Sequence, residues 1–377
     1  MELKRCATPD LTLDHVRRAL GGQAENMLGF SSPMIERTRL HLPSLTFIDD
    51  VFGLSGRSIE VRNSLRAIRD HGRLSGTGYM SILPVDQGVE HDWFTFARNL
   101  DYADPANIVR LAEEGGCNAV ATSYGAASIV ADMAAKLRLP VIVKINHNEL
   151  LTTPAKYDQT MFATAKAAAD MGARAIGITI YFGSEESRRQ MEEVRDAFQA
   201  AREAGLATIA WCYLRNSKAF KIKEDGKDAA TDFHDDAALT SQAIHLAASL
   251  GADIVKQKLA TRAGGPQAIR AQKIGVLNSK DDEIARVVGT HPIDWVRAQV
   301  AAAYMGRIGL INSGGESKGA SDLDDAIATA VINLRAGGTG LISGRKAFQK
   351  PMAEGIALLH AIQDVYLLGV RGEISIP

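Results

Sequence analysis

Two lysines stand inside short apolar runs of the chain, where a charged ammonium group is poorly solvated. Lys144 directly follows Val141-Ile-Val, and Lys256 directly follows Ile254-Val. Burial and a neighbouring ammonium both disfavour the charged form of a lysine, so we expect the pKa of Lys256 to be lowered. A neutral amine attacks a ketone or aldehyde and forms an iminium, which is an electron sink for cleavage of a C–C bond. The two lysines therefore indicate Schiff-base chemistry.

Groups that could transfer protons end two other apolar runs. Asp86 follows Ile82-Leu-Pro-Val, and Tyr181 follows an equally apolar segment. A single strand-end lysine more often belongs to a structural salt bridge than to a catalytic site, but a second lysine, an aspartate and a tyrosine at equivalent depth favour catalysis. Lys256 is the better nucleophile because Lys258 lies nearer the end of its run and is more readily solvated.

Glycine-rich segments follow the last two apolar runs and could hold an anion. One contains Ser313, Gly314 and Gly315, and the other contains Gly344 and Arg345. Backbone N–H groups of such segments, together with a helix N-terminus, bind phosphate. Tight turns are the alternative interpretation, and the spacing does not match the Walker A pattern. Two such segments after consecutive runs favour phosphate binding.

The chain alternates short apolar runs with alanine-rich stretches of helical periodicity. Eight runs predict strands at Tyr79–Val85, Asn118–Thr122, Pro140–Ile145, Ala173–Tyr181, Ala207–Tyr213, Ala252–Lys256, Gly309–Asn312 and Thr339–Ser343. Five stretches predict helices at Tyr157–Met171, Glu185–Ala204, Asp235–Leu250, Asp322–Ala336 and Met352–Leu367. Continuous apolar strands alternating with helices predict a covered parallel sheet, and eight such units predict a (β/α)8 TIM barrel. An open doubly wound sheet is less favoured because no Gly-x-Gly-x-x-Gly motif follows the first strand.

The barrel prediction brings the polar strand ends to one end of the molecule. Active sites of such barrels lie at the C-terminal ends of the strands, and the loops after strands seven and eight commonly bind phosphate. Long segments after strands five and six, Lys221–Asp236 and Thr261–His291, either cover this site or decorate the surface. Residues 1–75 lack the regular rhythm, which predicts an N-terminal extension that packs on a barrel formed by residues 76–377. Helical spacing within that extension occurs at Asp14–Leu20 and Val61–Asp70.

Composition restricts the class of protein. The 377 residues include 43 Lys and Arg against 44 Asp and Glu, so we expect neither nucleic acid nor an anionic membrane as a partner. Hydrophobic residues make up 46% and charged residues 23%, which excludes a disordered chain. We expect no membrane span, since no apolar run approaches about 20 residues, and no signal peptide. Three cysteines, Cys6, Cys117 and Cys212, fit reduced thiols of a cytoplasmic protein rather than a disulfide framework or a four-cysteine zinc site.

Six segments, in one order and spacing, carry a resemblance to a known family. They are Leu-Pro-Val-Asp86-Gln-Gly, Val-Lys144-Ile-Asn-His-Asn, Thr-Ile-Tyr181-Phe-Gly-Ser-Glu-Glu-Ser, Asp-Ile-Val-Lys256-Gln-Lys, Ile-Asn-Ser-Gly-Gly and Ser-Gly-Arg-Lys-Ala-Phe. From about Arg57 to the C-terminus the chain resembles the archaeal-type class I fructose-bisphosphate aldolases, and the bacterial branch looks closest. One departure is Gln87, where the archaeal members tend to carry histidine.

The resemblance implies a metal-independent Schiff-base lyase without a cofactor. Such an enzyme reversibly cleaves fructose 1,6-bisphosphate to dihydroxyacetone phosphate and glyceraldehyde 3-phosphate, in glycolysis or gluconeogenesis. Carried over by motif, Lys256 forms the Schiff base and Tyr181 is the acid/base at the C4 hydroxyl. Asp86 transfers protons and positions hydroxyl groups, while Lys144 stabilises charge and helps to keep Lys256 neutral.

The resemblance also implies a phosphate site and an assembly. The substrate phosphate would be held by Ser313, Gly314, Gly315, Gly344 and Arg345. His147 and Lys258 are candidates for further substrate contacts, and Arg215 with Lys258 for holding the second phosphate. Because the family assembles into large homo-oligomers, we expect a homo-oligomer here.

Four alternatives remain open from the residues alone. A Schiff-base aldolase or transaldolase-like enzyme of the same family could act on a different phosphorylated ketose. A non-catalytic sugar-phosphate-binding barrel would keep the glycine segments but would not need the four polar strand ends together. A metal-dependent aldolase could use His147 and Glu149 with His91 or His234, although no His-x3–5-His pair occurs in the strands. Pyridoxal phosphate on Lys256 is the fourth alternative.

Overall fold

Eight parallel strands close into a barrel in the computed structural model, which describes residues 7–86, 91–153, 157–216, 219–223, 230–273 and 277–377. The strands are β1 Met80–Val85, β2 Ala119–Ser123, β3 Val141–Lys144, β4 Ala175–Phe182, β5 Ala207–Leu214, β6 Ile254–Lys258, β7 Gly309–Ser313 and β8 Gly340–Ile342. Each strand pairs with its neighbours in chain order, and β8 pairs with β1. The predicted (β/α)8 barrel is therefore confirmed, and the open sheet is excluded.

The register of the barrel aligns the strand ends that carry polar residues. Lys256 on β6 pairs with Trp211 on β5 and with Ile311 on β7. On the other side of β5, Tyr181 of β4 lies opposite Tyr213. Because side chains alternate along a strand, β6 presents Ile254, Lys256 and Lys258 on one face. The strands are buried along almost their whole length, which is the pattern of a parallel sheet covered by helices.

Helices surround the barrel and occupy the N-terminal region. They are α1 Leu13–Leu20, α2 Ala24–Gly29, α3 Ile59–Arg69, α4 Pro105–Glu114, α5 Tyr124–Leu137, α6 Ala165–Asp170, α7 Ser187–Glu203, α8 Ala237–Ser249, α9 Gly265–Ala271, α10 Asp281–Val288, α11 Pro292–Ala302, α12 Asp322–Ala336, α13 Arg345–Phe348 and α14 Met352–Val370. Short 3-10 turns occur at Gly21–Gln23, Arg37–Arg39, Trp93–Arg98 and Leu100–Ala103, and a π-helical turn at Ile48–Phe52.

One predicted helix is wrong over most of its length. The stretch Tyr157–Met171 contains a helix only at α6, because Thr160–Met161 pairs with Asn146–His147 in a short antiparallel hairpin. The Thr164 side chain then accepts a hydrogen bond from the Ala167 backbone N–H at 3.1 Å and starts α6 as its N-cap. The hairpin holds the chain that follows β3 beside the barrel mouth.

The two long segments after β5 and β6 have regular structure of their own. Within the first, Lys221–Lys223 pairs with Ala230–Asp232 in an antiparallel hairpin, and residues 224–229 lie outside the described residues. The second contains α9 and α10, with residues 274–276 outside the described residues. The N-terminal part of α8 packs against this second segment, since the Gly265 N–H donates to the Asp236 carboxylate at 2.7 Å.

The N-terminal region closes the end of the barrel opposite the polar strand ends. The Ser64 hydroxyl of α3 donates to the Gly205 carbonyl at 2.8 Å, just before β5 begins. Arg69, at the end of the same helix, is buried over the Phe47 ring and donates to the Gly78 carbonyl, just before β1. Burial lowers the pKa of Arg69 to about 10, which leaves it protonated at neutral pH.

Buried ion pairs and arginine–carbonyl contacts attach this region to the barrel. Arg57 donates to the Asp253 carboxylate, just before β6, at 2.9 Å. Arg335 of α12 donates to the Phe30 carbonyl at 2.9 Å, and Asp364 of α14 accepts the N–H of Leu11 at 3.0 Å. The N-terminal residues thus pack on the barrel, while their separation from it at residue 75 stays a prediction.

Among the described residues, one helix is long and apolar enough to cross a membrane. It is α14, with 19 residues and a mean hydropathy of 1.2 in its most apolar window. However, 61% of that window is buried inside the protein, against α12 and α13 among others. This is the pattern of a core helix that covers the barrel.

Candidate active site

The ends of β1 and β3 bring a carboxylate and an ammonium into contact. Lys144 Nζ lies 3.4 Å from Asp86 Oδ2, and both side chains are almost fully buried. Burial by itself would raise the pKa of Asp86, but the charge of Lys144, followed by those of Lys256, His147 and His91, holds the pKa below its usual range. Asp86 is therefore a carboxylate at neutral pH, and it balances positive charge in the closed end of the site.

The two lysines share one aromatic ring. Lys256 Nζ lies 5.1 Å from the centre of the Trp211 ring, and Lys144 Nζ lies 5.5 Å from it. Lys256 is also 5.6 Å from the Tyr213 ring centre. An indole supplies an apolar surface with a negative face, and both lysine side chains pack against it. The lowered pKa of Lys256 that we expect from the sequence stays a prediction.

A glycine on β4 makes room for this ring. A Cβ at Gly177 would lie 2.6 Å from Trp211 Cζ3 and 3.5 Å from Lys144 Cδ. Real Cβ atoms do not approach other atoms so closely, so only glycine admits the indole beside the lysine. Gly177 thereby determines where Trp211 and Lys144 meet.

Tyr181 is held at both its backbone and its hydroxyl. The Tyr181 N–H donates to Gln190 Oε1 at 2.8 Å, and the Asn148 amide donates to the Tyr181 hydroxyl oxygen at 3.0 Å. The Arg215 guanidinium lies 5.3 Å from the Tyr181 ring centre and 5.4 Å from that of Tyr213. The two tyrosines and Arg215 therefore form a continuous wall from Lys256 to the phenol hydroxyl of Tyr181.

His147 lies in the hairpin beside the site and is fully buried. Its Nε2 is 3.0 Å from the Lys144 carbonyl oxygen, and its ring packs edge-on against Phe162. It acts on the site electrostatically, as one of the positive neighbours that lower the pKa of Asp86. Its role as a substrate contact stays a prediction.

The loops after β7 and β8 touch one another, as a phosphate site requires. A Cβ at Gly314 would lie 2.3 Å from Ser343 Oγ, and one at Gly344 would lie 2.3 Å from the Pro84 carbonyl oxygen. Ser313 precedes these contacts at the end of β7, and Gly315 has a φ of 76°, in the left-handed region. Glycine at both positions therefore lets the loop after β7 approach Ser343 and the loop after β8 approach β1; we call the segments Ser313–Gly315 and Gly344–Arg345 the cradle.

Polar groups of this cradle are available to an anion. Among the described residues, the Ser343 hydroxyl is buried without a hydrogen-bond partner. Arg345 is the first residue of α13, so its backbone N–H has no acceptor within that helix. The Arg345 side chain instead pairs with Glu316 at 3.0 Å, and this contact lowers the pKa of Glu316. The role of Arg345 in phosphate binding stays a prediction.

A second cationic group lies at the mouth of the barrel, at the ends of β5 and β6. Lys258 is half-buried, and burial together with the charge of Arg215 lowers its pKa. The carboxylates of Asp235, Asp232 and Glu316 act in the opposite direction. Two cations of different strands therefore lie close enough to influence one another at the rim.

The metal-aldolase alternative finds no ligand group in the part of the chain that the structure describes. No three His, Cys, Asp or Glu side chains are arranged there to hold a metal ion. His234 instead pairs with Asp232 and accepts the Asn216 N–H at 3.1 Å. Gln87 lies outside the described residues, as does Cys6, while Cys117 and Cys212 are buried free thiols.

Several residues of the site were not identified from the sequence. Trp211 lies inside an apolar run, which predicts a core residue, yet its ring contacts both lysines. Gly177 belongs to none of the motifs quoted above. The alternation of side chains along a strand could have identified both residues, because Gly177 shares a strand face with Tyr181 and Trp211 shares one with Tyr213. Asn148 ends the motif that begins at Val143, but its contact with Gln159 had no signal in the sequence, since it depends on the path of the hairpin loop.

Comparison with known proteins identifies the family. The sequence profile described as DeoC/LacD family aldolase matches residues 80–350. The chain is 50% identical, over 94% of its length and 97% of the relative's, to the protein named "Probable fructose-bisphosphate aldolase class 1" of Chlamydia pneumoniae. It is 30% identical to "Fructose-bisphosphate aldolase class 1" of Thermoproteus tenax, over 48% of this chain and 62% of that one.

Solved structures show the same fold. The crystal structure of an archaeal fructose 1,6-bisphosphate aldolase superposes with a TM-score of 0.60 at 24% identity, covering 81% of this chain and 99% of that one. The fructose-bisphosphate aldolase from Slackia heliotrinireducens gives a TM-score of 0.59 at 23% identity, with coverages of 90% and 96%. The profile match over most of the barrel and the 50% identical relative confirm the predicted family, so the chain belongs to the DeoC/LacD aldolases, in the class 1 fructose-bisphosphate aldolase group.

Proposed function

We propose that this protein is a class I fructose-bisphosphate aldolase whose Schiff base forms on Lys256. The observation that carries the residue assignment is the placement of Lys256 and Lys144 on one Trp211 ring, with Asp86 paired to Lys144. The predicted activity agrees with the names of the full-length relatives. A binding module without catalysis would not need two lysines and a carboxylate buried at this depth.

The proposed reaction assigns each group a step. The neutral Lys256 amine attacks C2 of the ketose, and loss of water from the carbinolamine leaves an iminium. The Tyr181 phenol gives its proton to the hydroxyl that leaves the carbinolamine as water. The resulting phenolate removes the C4 hydroxyl proton, the C3–C4 bond breaks, and its electron pair moves toward the iminium nitrogen to give an enamine. Glyceraldehyde 3-phosphate leaves, the enamine is protonated at C3, and water releases dihydroxyacetone phosphate. Asp86 and Lys144 supply the local charges and proton transfers that these steps need.

Two phosphate anchors follow from the positions of the cations. One phosphate lies in the cradle of Ser313, Gly314, Gly315, Gly344 and Arg345. The other lies at the rim by Arg215 and Lys258, where burial and the charge of Arg215 lower the pKa of Lys258. Two phosphate anchors favour a bisphosphate over a ketose with one phosphate.

Trapping of the imine tests the proposal directly. Borohydride reduction in the presence of dihydroxyacetone phosphate should leave a covalent adduct on Lys256, located by peptide mass analysis. Lys258→Met is the matched control, since it keeps Lys256 and should still give the adduct. Lack of an adduct, or loss of activity with EDTA, would contradict the proposal.

The tyrosine has its own experiment. Tyr181→Phe should lower turnover by about 10²–10⁴-fold, the usual range for a general acid–base group, while imine formation on Lys256 persists. Full turnover of this variant would remove Tyr181 from the mechanism.

Substrate choice separates this function from another Schiff-base aldolase of the same fold. We expect kcat/KM to be higher for fructose 1,6-bisphosphate than for fructose 1-phosphate, because only the former engages both anchors. Arg215→Gln should reduce that difference. Equal kcat/KM values for the two ketoses in the wild type would favour the alternative enzyme.

Location and assembly complete the proposal. A cytoplasmic enzyme of central sugar metabolism is supported by the buried free thiols of Cys117 and Cys212. Burial raises the pKa of Cys117 to about 12, so this thiol is inert. We propose a homo-oligomer, and light scattering of the purified protein should give a mass of several chains.

A further inference from the structure

The Tyr181 hydroxyl receives a hydrogen bond from a pair of amides that the reaction scheme above does not use. Asn148 Nδ2 donates to the Tyr181 hydroxyl oxygen at 3.0 Å, and Gln159 Nε2 donates to Asn148 Oδ1 at 2.7 Å. Gln159 is 1% exposed, and Tyr181 is 4% exposed. Asn148, between them, is half-buried, so the three side chains are partly shielded from the water that competes for their hydrogen bonds.

The elements that carry Tyr181, Asn148 and Gln159 also contact one another. Gln190 of α7 accepts the Tyr181 backbone N–H, and the neighbouring Arg189 forms an ion pair with Asp158. The Gln159 N–H donates to the same Asp158 carboxylate at 2.6 Å. One helix thus contacts both the backbone of Tyr181 and the segment that carries Gln159.

The direction of donation along these hydrogen bonds follows from the polar atom that is left without a partner. As placed, Gln159 Oε1 is buried with no hydrogen-bond partner among the described residues, while its NH2 group is used. Reversing both amides would leave the Gln159 NH2 group without that acceptor and would point the Asn148 carbonyl at the phenol. Buried N–H groups without an acceptor are rarer than carbonyl oxygens without a donor. Gln159 therefore donates, and Asn148 presents N–H to the tyrosine.

We propose that Asn148, oriented by Gln159, is a positioning residue that prepares Tyr181 for proton transfer at the C4 hydroxyl. By occupying one lone pair of the phenol oxygen, the Asn148 N–H directs the phenolic proton away from itself, toward the substrate oxygen that is protonated in the condensation direction. A donor to that oxygen also stabilises the phenolate, which must accept the C4 proton in the cleavage direction. The inference rests on the proposed function, since it assigns Asn148 a role only through Tyr181.

The central experiment removes the amide. Asn148→Ala should lower kcat for cleavage of fructose 1,6-bisphosphate by about 10- to 100-fold, the range expected for a hydrogen bond to a developing charge. KM should stay within about threefold, and borohydride trapping on Lys256 should persist, because neither needs the phenol. A large rise in KM with kcat unchanged would overturn the proposal.

A second variant separates donation from packing. Asn148→Asp keeps the size of the side chain but offers the phenol an acceptor, so its kcat should be as low as that of Asn148→Ala or lower. Thermal unfolding of both variants verifies that they fold. If Asn148→Asp has wild-type kcat, Asn148 acts only by filling space, and the proposal is wrong.

Coupling to Tyr181 and Gln159 completes the test. In a Tyr181→Phe background, Asn148→Ala should change kcat by less than about twofold, because the hydroxyl that it serves is gone. Gln159→Leu should lower kcat only in a chain that retains Asn148. A Tyr181→Phe variant with full turnover would contradict the proposed role of Tyr181, whereas an impaired Tyr181→Phe beside a fully active Asn148→Ala would contradict this inference alone.

Discussion

At the scale of single residues, the site depends on how one carboxylate balances the positive charges around it. Asp86 contacts Lys144 at 3.4 Å and also feels the charges of Lys256 and His147. Lys144 contacts the Asp86 carboxylate directly, and Lys256 also lies against the Trp211 and Tyr213 rings. In the proposed mechanism Lys144 is the fixed charge and Lys256 the nucleophile.

Replacing Asp86 should therefore affect stability as well as activity. Asp86→Asn removes one partner of a buried pair, which we expect to lower the free energy of unfolding by about 3–5 kcal/mol at pH 7. Because folding lowers the pKa of Asp86, its contribution is present above about pH 4, the unfolded value, and is lost as the pH falls through the folded value. Urea unfolding at pH 7 and in acid should show the difference between wild type and variant shrinking as pH falls.

At the scale of elements, β4 and β5 are shaped to each other around Trp211. Gly177 has no Cβ to meet the indole, and the indole in turn lies under both lysine side chains. Protein interiors are packed densely enough that one added methyl group moves its neighbours. The strand pair is therefore a positioning device, although neither residue carries a reactive group.

An alanine on β4 tests this packing. Gly177→Ala should destabilise the fold by about 1–3 kcal/mol, the usual cost of overpacking, and should lower kcat because Trp211 and Lys144 must shift. Thermal unfolding and steady-state kinetics measure the two effects. The double variant Gly177→Ala/Trp211→Phe should recover part of the lost stability, since the smaller ring leaves space for the methyl group. A double variant less stable than Gly177→Ala would show that the contact is not responsible.

The loops after β7 and β8 allow a prediction about affinity. Glu316 forms an ion pair with Arg345, and the Glu316 side chain is 78% exposed. Such an exposed pair is worth less than about 1 kcal/mol, so Glu316→Gln should lower KM for fructose 1,6-bisphosphate by up to about fivefold without changing kcat. Asp324→Asn, a charge change of the same size on α12, serves as the control. A KM that rises in Glu316→Gln would mean that the carboxylate helps substrate binding.

At the scale of the whole molecule, the barrel separates stability from chemistry. The N-terminal region covers the ends at which the strands begin, through contacts such as Arg57 with Asp253 and Ser64 with Gly205. The reactive groups lie at the opposite ends of the strands. Buried polar contacts at the closed end can therefore be strong without restricting the loops at the mouth.

Arg57 provides the test of this separation. Arg57→Met leaves the fully buried Asp253 carboxylate without its arginine, so the free energy of unfolding should fall by about 3–5 kcal/mol. The kcat of the folded variant should stay near that of the wild type. Arg66→Met is the matched control, because its partner Asp49 is exposed and the loss should stay within about 1 kcal/mol. A large fall in kcat for folded Arg57→Met would show that the two ends are coupled.

Much of this architecture could be predicted from the sequence, for physical reasons that particular residues illustrate. Lys144 and Lys256 stand out because an apolar run buries whatever interrupts it, and a parallel barrel brings its strand ends together. The helix predicted at Tyr157–Met171 failed because Thr160–Met161 pairs with Asn146–His147 in a hairpin, so part of its backbone is hydrogen-bonded outside any helix. Periodicity does not detect such a competing partner from a distant part of the chain.

The sequence by itself determined the family, the order of the eight strands and the candidates for the reactive groups, because strand alternation and burial depend on neighbouring residues. Only the tertiary structure decided which groups touch. The Trp211 ring lies beside both lysines, and Glu316 pairs with Arg345. Gln159 donates a hydrogen bond to Asn148, which donates one to Tyr181. Those contacts depend on barrel register and loop path, which set distances between residues far apart in the chain. In the proposed mechanism Lys256 forms the Schiff base, and the fold determines the hydrogen bonds and charges that surround it.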